Sequence, residues 1–254
     1  MAEGIFVMTD GLDGVGKGTS EIAILDFLKS KGLRVFDQVA WEKEHRARPR
    51  YVRLSPNDHG VIDIDSFDVA YLGEPSYVGT GWDVRFEQIA SHNKGKYSAR
   101  ETLMGYSLNR LIHYERCVIP LLAAGKNIVQ SRGLPASDCY QGLQADQEGN
   151  PLTKMDIFSH RGNRLAIEHK PNLLIIPTIK DPSALEARLQ NREKQDDTFL
   201  EGLPFQLALK PYFERESLRK LFEDAGSKVT YIDAGISVEE TKKQAVDAVR
   251  YLFE

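Results

Sequence analysis

A single lysine stands among closely spaced glycines near the start of the chain, in a pattern that could hold phosphate groups. Gly11, Gly14, Gly16 and Gly18 surround Lys17 in the stretch DGLDGVGKGT. Glycines let successive backbone N–H groups turn toward one point without Cβ clashes, and those groups can donate to phosphate oxygens. The lysine adds a mobile positive charge for the outer phosphates. The spacing therefore predicts a phosphate-binding loop.

The residues on either side give this loop the context that phosphate binding requires. An apolar run at residues 5–8 precedes it and is typical of a buried strand, and helical apolar periodicity resumes from Ile22 to Leu28. A helix in this place adds the positive end of its dipole. The match to G-x-x-x-x-G-K-[ST] is imperfect, because Gly18 occupies the hydroxyl position and the hydroxyl follows at Thr19. A glycine-rich turn without a ligand is the alternative, which the flanking strand and helix disfavour.

Composition excludes several other classes of protein. The 254 residues, 41% of them hydrophobic, can bury a full core. A net charge of -4 and a pI of about 5.9 give no support for a general affinity for nucleic acid. No apolar run approaches the ~20 residues of a membrane span, and the N-terminal residues do not resemble a signal peptide. Because Cys117 and Cys139 are too few for a disulfide framework or a zinc site, we expect a cytoplasmic protein.

Short apolar runs alternate with helical patterns along the rest of the chain. The pattern predicts an α/β fold, a doubly wound parallel sheet of about five strands flanked by helices, within one domain at 1–254. Two polar excursions, at about 38–71 and 146–170, interrupt it. The first contains the basic stretch WEKEHRARPRYVRL, which is either a lid or partner surface or a solvated excursion such as a hairpin; the sequence favours the solvated excursion.

Three arginines lie where ligands are expected. One predicted strand ends at Ser131-Arg132-Gly133, and open parallel sheets bind ligands at the carboxyl ends of their strands, so Arg132 is a candidate phosphate ligand. Arg188 and Arg192 are four residues apart and so share one helix face. Ordinary surface arginines are the alternative in each case. The turn-rich segment 73–85, GEPSYVGTGWDVR, has the character of a binding loop.

Six motifs in one order resemble the thymidylate kinase family of P-loop nucleoside monophosphate kinases, and together they cover most of the chain. They are DGLDGVGKGT for the phosphate-binding loop, GEPSYVGTGWDVR for the loop containing Arg-Glu-Pro, ETLMGYSLNRLIHYERCVIPLLAAGKNIVQSRG for the helix and strand that end in Asp-Arg-Tyr, ASDCYQG for Ser-Ser-x-x-Tyr-Gln-Gly, LEARLQNREKQDDTFLEG for the lid, and YIDAGISVEE for the last strand and adenine loop.

The chain departs from this family at positions that matter for chemistry. Gly73 replaces the arginine of Arg-Glu-Pro, which removes one contact to the acceptor phosphate. Ser131 and Gly133 replace the aspartate and tyrosine of Asp-Arg-Tyr, and Gly18 replaces the usual hydroxyl residue of the loop. The two excursions have no counterpart in a minimal member, so they read as insertions.

The resemblance implies that the protein binds ATP with Mg2+ and transfers the γ-phosphoryl group. The residues that would bind ATP are Gly14, Val15, Gly16, Lys17, Gly18 and Thr19. Lys17 would hold the donor phosphates, while Arg188 and Arg192 would close over the transferring group as a lid and exclude water. Thr19 and Ser131 would meet the magnesium ion, directly or through water.

The resemblance also assigns an acceptor site. Tyr106 would stack on the base, and Arg110, four residues later, would donate to a carbonyl of the base edge, with Gln141 helping to read the base. Arg132 would hold the acceptor phosphate. The acidic residues Asp13 and Glu74 would orient the acceptor sugar or the metal-bound waters. Plain packing remains the alternative for Tyr106 and Gln141.

The sequence therefore predicts ATP-dependent phosphorylation of a nucleoside monophosphate, with dTMP converted to dTDP. Two alternatives stay open. One is a kinase for another nucleotide or a deoxynucleoside, and the other is a nucleotide-binding regulatory protein whose catalysis has lapsed. The missing magnesium contacts at Gly18 and Ser131 favour the second alternative, and the lid arginines oppose it. The resemblance further suggests a homodimer.

Overall fold

The computed structural model describes residues 3–52, 61–89, 96–191, 200 and 202–254. The strands are β1 (Phe6–Thr9), β2 (Val35–Asp37), β3 (Arg50–Val52), β4 (Val61–Asp63), β5 (Val69–Gly73), β6 (Asn127–Ser131), β7 (Leu173–Thr178) and β8 (Lys228–Asp233). The helices are α1 (Lys17–Ser30), α2 (Gln38–His45), α3 (Thr80–Ile89), α4 (Ala99–His113), α5 (Ile119–Ala123), α6 (Leu134–Gln147), α7 (Lys154–Ser159), α8 (Arg161–Glu168), α9 (Pro182–Gln190), α10 (Leu203–Glu214), α11 (Glu216–Asp224) and α12 (Val238–Phe253).

Six strands form one parallel sheet in the order β2-β5-β6-β1-β7-β8, which confirms the predicted doubly wound α/β fold with one strand more than the five or so expected. Its central strand β1 lies between β6 and β7, so the sheet extends in both directions from the strand that leads into the glycine loop. Alternate residues of β1 enter different cores: Val7 packs with α1 and α12 on one face, and Phe6 and Met8 pack on the other. Burial on both faces explains why the apolar run that predicted β1 is continuous.

The first excursion contains more structure than the sequence indicated. The run VIDIDSFDVAYL, which reads as one strand, is two strands separated by a 3-10 turn at Ile64–Ser66. The side chain of Asp63 accepts from the N–H of Asp65 and so begins this turn. Strand β4 pairs with β3 in a separate parallel sheet, so the suggested hairpin is wrong.

Helix boundaries follow local capping. The apolar pattern of residues 98–124 predicts one long helix, and the structure begins it with a capping box at Ser98 and Glu101 and continues it through α4, a π-helical segment at Tyr114–Val118 and α5. The pattern of residues 204–225 also predicts one long helix, and this is wrong in one respect, because Arg215 adopts extended backbone and divides it into α10 and α11. None of the helices in the described part of the chain is long and apolar enough to cross a membrane.

Candidate active site

The glycine loop joins the end of β1 to the start of α1 and has the backbone that the sequence predicted. Gly14 and Gly16 have φ values of 75° and 107°, a region that L side chains rarely adopt. Gly16 is the N-cap of α1, so the first free N–H groups of that helix face the loop. The first turn of α1 includes Gly18, where an added Cβ would meet no atom within 4 Å. Space therefore does not require a glycine at this position.

Lys17 folds back over the loop. Its Nζ donates to the carbonyl oxygens of Gly11 at 3.0 Å and Leu12 at 2.6 Å, and lies 3.6 Å from Oδ1 of Asp13. Burial, reinforced by the positive charge of Arg132, lowers the pKa of Lys17 from 10.5 to about 8. The ammonium group is thus held by two loop carbonyl oxygens and by the nearby carboxylate of Asp13, beside the loop amides.

Asp13 connects the glycine loop to the end of β6. Its carboxylate accepts from Nη2 of Arg132 and from the hydroxyl of Tyr140, the latter at 2.9 Å, while its backbone N–H donates to Gln206 at 2.8 Å. The guanidinium of Arg132 lies 5.6 Å from the ring centre of Tyr140, a cation–π arrangement. The carboxylates around it raise the pKa of Arg132 well above its usual value despite burial. Arg132 is therefore a fixed positive charge at the boundary between the loop and the neighbouring pocket.

Asp10 is a second aspartate of the loop, which the sequence did not single out. It is completely buried, and burial raises its pKa. Its Oδ1 accepts from the N–H of Gly11 at 2.8 Å, and its Oδ2 accepts from the N–H groups of Gly133 and Ala136 at 3.0 and 2.9 Å. Asp10 thereby fixes the beginning of α6 against the glycine loop. Its position directly after a buried strand was the available sequence signal.

A pocket with about 660 Å³ of empty volume, counting its open mouth, adjoins the loop. It contains all five residues predicted to bind the acceptor together with Asp13. Its lining consists of Asp13, Glu74, Pro75, Arg85, Tyr106, Arg110, Arg132, Gly133, Ala136, Ser137, Tyr140, Gln141 and Leu200. Aromatic faces, arginines and an amide in one cleft are what recognition of a base and a phosphate requires.

Arg110 and Glu74 form a buried ion pair in the wall of this pocket. Nη2 of Arg110 contacts Oε1 of Glu74 and also donates to the hydroxyl of Ser137 at 2.8 Å, and Nη1 donates to Asn163 of α8. Burial raises the pKa of Glu74, which the charge of Arg110 opposes. Within the described part of the chain, three of the five N–H donors of Arg110 have partners, and its buried Nε has none. Arg110 is thus largely occupied by the protein while it lines the pocket.

Two pocket residues have polar groups that suit a base. Oε1 of Gln141 is buried and has no hydrogen-bond partner in the described part of the chain, so it can accept from a ligand N–H. Tyr106 lines the same pocket, and burial raises its pKa to about 12. The tyrosine is consequently neutral at physiological pH and presents a flat, uncharged ring.

Two further pocket residues lie in motifs that the sequence singled out but received no role there. Arg85 of α3 lines the pocket, and its positive charge acts on Tyr106 together with that of Arg132. Tyr140 of α6 holds Asp13 and stacks under Arg132. Both lie within motifs already singled out, the 73–85 loop and ASDCYQG, but neither motif indicated which residue would face the ligand.

Of the two arginines of the predicted lid, only Arg188 lies in the described part of the chain. Arg188 reaches the loop: its Nη1 donates to the carbonyl of Val15 at 3.3 Å, and its Nη2 donates to the carbonyl of Ala234 after β8. It therefore links the glycine loop to the segment that resembles an adenine loop. Arg192 lies outside the described residues.

The predicted magnesium ligands lie at the same edge of the sheet. Thr19 is half-buried in the first turn of α1, and Ser131 ends β6 in register with Thr9 of β1. Within the described ranges, no group of three His, Cys, Asp or Glu side chains could hold a metal ion. The hydroxyl groups of Thr19 and Ser131 fit a Mg2+ ion that takes most of its ligands from substrate phosphates and water and contacts the hydroxyls in addition.

Comparison with known proteins finds distant relatives over nearly the whole chain. The thymidylate kinase of Nitrosomonas eutropha is 23% identical over 254 residues, 98% of this chain and 94% of that protein. The thymidylate kinase of a Jannaschia species is 24% identical over 211 residues, 83% of this chain and 81% of that protein. The structure of Candida albicans thymidylate kinase matches with a TM-score of 0.60 and 17% identity, over 99% of this chain and 93% of that one. No family model matches. The predicted resemblance is confirmed.

Proposed function

We propose that this chain, a distant homologue of the thymidylate kinases, transfers the γ-phosphoryl group of ATP to a nucleoside monophosphate, with dTMP as the acceptor. One observation carries the proposal. The Asp13–Arg132 pair lies where the glycine loop, suited to a triphosphate, meets a pocket lined by Tyr106, Arg110 and Gln141. Phosphoryl transfer needs donor and acceptor phosphates to be brought together more than it needs covalent chemistry.

Each residue has a distinct part in this reaction. Lys17 and the amides from Gly14 to Thr19 hold the donor phosphates, and Arg188 and Arg192 close over them and exclude water. Bound with ATP, Mg2+ would neutralise phosphate charge, and the hydroxyls of Thr19 and Ser131 would hold it. Asp13 orients the acceptor or metal-bound waters.

The acceptor is held from three directions. Arg132, joined by Arg85, binds its phosphate, since both guanidinium groups line the pocket. Tyr106 stacks on the base. Gln141 accepts from an N–H of the base edge and Arg110 donates to a base carbonyl, a pattern that thymine and uracil satisfy.

The first experiment is an assay of ADP release with ATP, Mg2+ and, in turn, dTMP, dUMP, dCMP, dGMP and AMP. We expect release with dTMP, and its loss in Lys17→Ala. Lys29→Ala is a matched control, because Lys29 is an exposed lysine of the same helix. A folded protein that binds ATP but releases no ADP with any monophosphate would instead be a nucleotide-binding regulatory protein.

A second candidate is a kinase with a different or wider choice of base. Three donors of Arg110 are engaged by Glu74, Ser137 and Asn163, which limits how strictly it can select a carbonyl. The side-chain amide of Gln141 carries both a donor and an acceptor and can serve either type of edge. The Candida albicans relative is described as having broad substrate specificity. Comparable ADP release with dTMP and another monophosphate would favour this candidate.

A further inference from the structure

The first excursion packs against the end of β5 at Gly73, next to pocket residue Glu74 and at the position of the arginine in the family's Arg-Glu-Pro motif. Strand β5 ends at Gly73, and a Cβ there would lie 3.0 Å from Cγ2 of Val39 in α2. The side chain of Val39 in α2 thus lies directly beside position 73. A larger residue at this place would require that side chain to give by a few tenths of an ångström.

Two charged side chains of the same excursion, buried Glu42 and partly buried Arg48, contact the loop that follows β5. Glu42 of α2 is 2% exposed, and its Oε2 accepts from the backbone N–H of Tyr77 at 2.9 Å. Nη2 of Arg48 donates to Oγ of Ser76 at 2.5 Å, and Nε of Arg48 lies 4.0 Å from Oε1 of Glu42. The excursion therefore holds this loop through both a side chain and the backbone.

Helices α4 and α3 hold the loop from its other sides. Buried Asn109, the residue before Arg110, donates from Nδ2 to Oγ of Ser76 at 3.0 Å and accepts from the N–H of Ser76 at 3.4 Å. A Cβ at Gly81 would lie 2.3 Å from the carbonyl oxygen of Ser76, so α3 packs directly on the loop and only glycine fits there. The hydroxyl of Ser76 is the point where Arg48 and Asn109 meet.

Both ends of this loop supply walls of the acceptor pocket. Glu74 and Pro75 precede Ser76, and Arg85 lies on the helix that follows. We propose that Arg48 is a positioning residue for the acceptor: in place of an arginine at position 73, it fixes residues 74–80 and thereby the pocket-lining side chains. This inference rests on the proposed function, and it assigns a role to the first excursion. Arg48 does not line the pocket and acts through Ser76.

The test compares Arg48→Lys, Ser76→Ala and Arg50→Ala with the unmutated protein. Arg48→Lys keeps the charge beside Glu42 but loses the fork geometry of the guanidinium. Ser76→Ala removes the shared hydroxyl while leaving every charge in place, so it remains informative if the first variant folds poorly. Arg50→Ala is the control, because Arg50 is an exposed arginine two residues further along.

We expect both loop variants to raise the KM for dTMP about ten-fold, the effect of one lost hydrogen bond to a charged group. The KM for ATP should stay within about two-fold, since the glycine loop is unchanged. Hydrogen exchange at the amide of Tyr77 should accelerate in both variants and not in Arg50→Ala.

Three results would overturn the inference. The first is a KM for dTMP and an exchange rate at Tyr77 equal to those of Arg50→Ala. The second is an equal rise of both KM values, which would indicate a general loss of structure. The third is an unmutated protein that transfers phosphoryl groups to no monophosphate; only that result also removes the proposed function.

Discussion

Lys17 allows the energetics of the glycine loop to be tested without any substrate. Its side chain is 10% exposed, and its pKa is lowered from 10.5 to about 8. Because the folded-state pKa is below the unfolded one, the charged lysine costs folding free energy below pH 8, where both states hold the proton. Between pH 8 and 10.5 the folded state releases the proton first, and the cost disappears. The difference corresponds to about 3 kcal/mol, at about 1.4 kcal/mol per tenfold change in the proton-binding constant.

Replacing this lysine should therefore change how stability depends on pH. Lys17→Ala removes the net cost of about 3 kcal/mol of holding this charge at pH 7, which comes from burial and Arg132 less the attraction of nearby carboxylates. It also removes two hydrogen bonds to loop carbonyls, each worth about 1 kcal/mol. We expect the variant to be as stable as the unmutated protein at pH 7, or about 1 kcal/mol more stable. The unmutated protein should then gain up to about 3 kcal/mol relative to the variant as the pH rises to 10.5.

The measurement is urea unfolding of both proteins and of the control Lys29→Ala, followed by circular dichroism from pH 7 to 10.5. Taking differences between variants removes the titration of other groups. Phosphoryl transfer should fall by about 10²–10³-fold in Lys17→Ala, because a charge at the donor phosphates is lost in a site of low dielectric. If the free energy of unfolding changes with pH equally in Lys17→Ala and in the unmutated protein, the pKa of Lys17 is not lowered by the fold. Near-normal turnover in Lys17→Ala would refute the phosphate-binding role.

Three further predictions concern the chemistry of the site. In steady-state assays, Arg188→Ala should lower kcat more than it raises the KM for either substrate, because a lid charge acts on the transition state. An effect on KM alone would show that Arg188 binds the ground state instead. Ser131→Asp should lower the magnesium concentration that gives half-maximal turnover. A sharp loss of activity would show that the site requires the serine. We expect kcat/KM for dTMP to exceed that for dCMP by roughly ten- to a hundred-fold, with Arg110→Ala removing the preference and Tyr106→Ala weakening both acceptors. Equal rates would contradict base reading by Arg110, and Arg110→Ala must first be checked for folding because Glu74 loses its partner.

The sequence predicted the sheet and the glycine loop because both depend on local pattern. Continuous apolar runs mark strands that are buried on both faces, and the glycines at 14 and 16 mark positive φ angles. The sequence predicted helix boundaries less well where the backbone conformation of a single residue ends a helix. Arg215, which divides α10 from α11, carries no helix-breaking signal in its residue type.

The sequence also predicted the part of the candidate site that depends on local pattern. Arg132 and Tyr106 could be named because their motifs fix their place relative to a strand end or a helix face. Arg85 fell within the predicted binding loop at 73–85 but received no role, because its place in the pocket depends on how α3 packs on Ser76, a contact between elements that spacing along the chain does not show. Asn163, which engages Arg110 from the second excursion, is distant in sequence and has no motif at all.

The charges around the glycine loop already balance, so the proposed reaction would need positive charge from groups other than those of the loop. Asp10 and Asp13 lie beside Lys17 and Arg132, so two acidic and two basic side chains already offset one another before any phosphate arrives. A triphosphate and an acceptor phosphate would bring several further negative charges into the same buried region, where uncompensated charge is expensive. In the proposed reaction the compensating charge would therefore come from outside this group, from Arg85 in the pocket, from Arg188 and from a metal bound with ATP. Arg188 donates to the loop carbonyl of Val15, and in this proposal it would exchange that neutral acceptor for a phosphate oxygen.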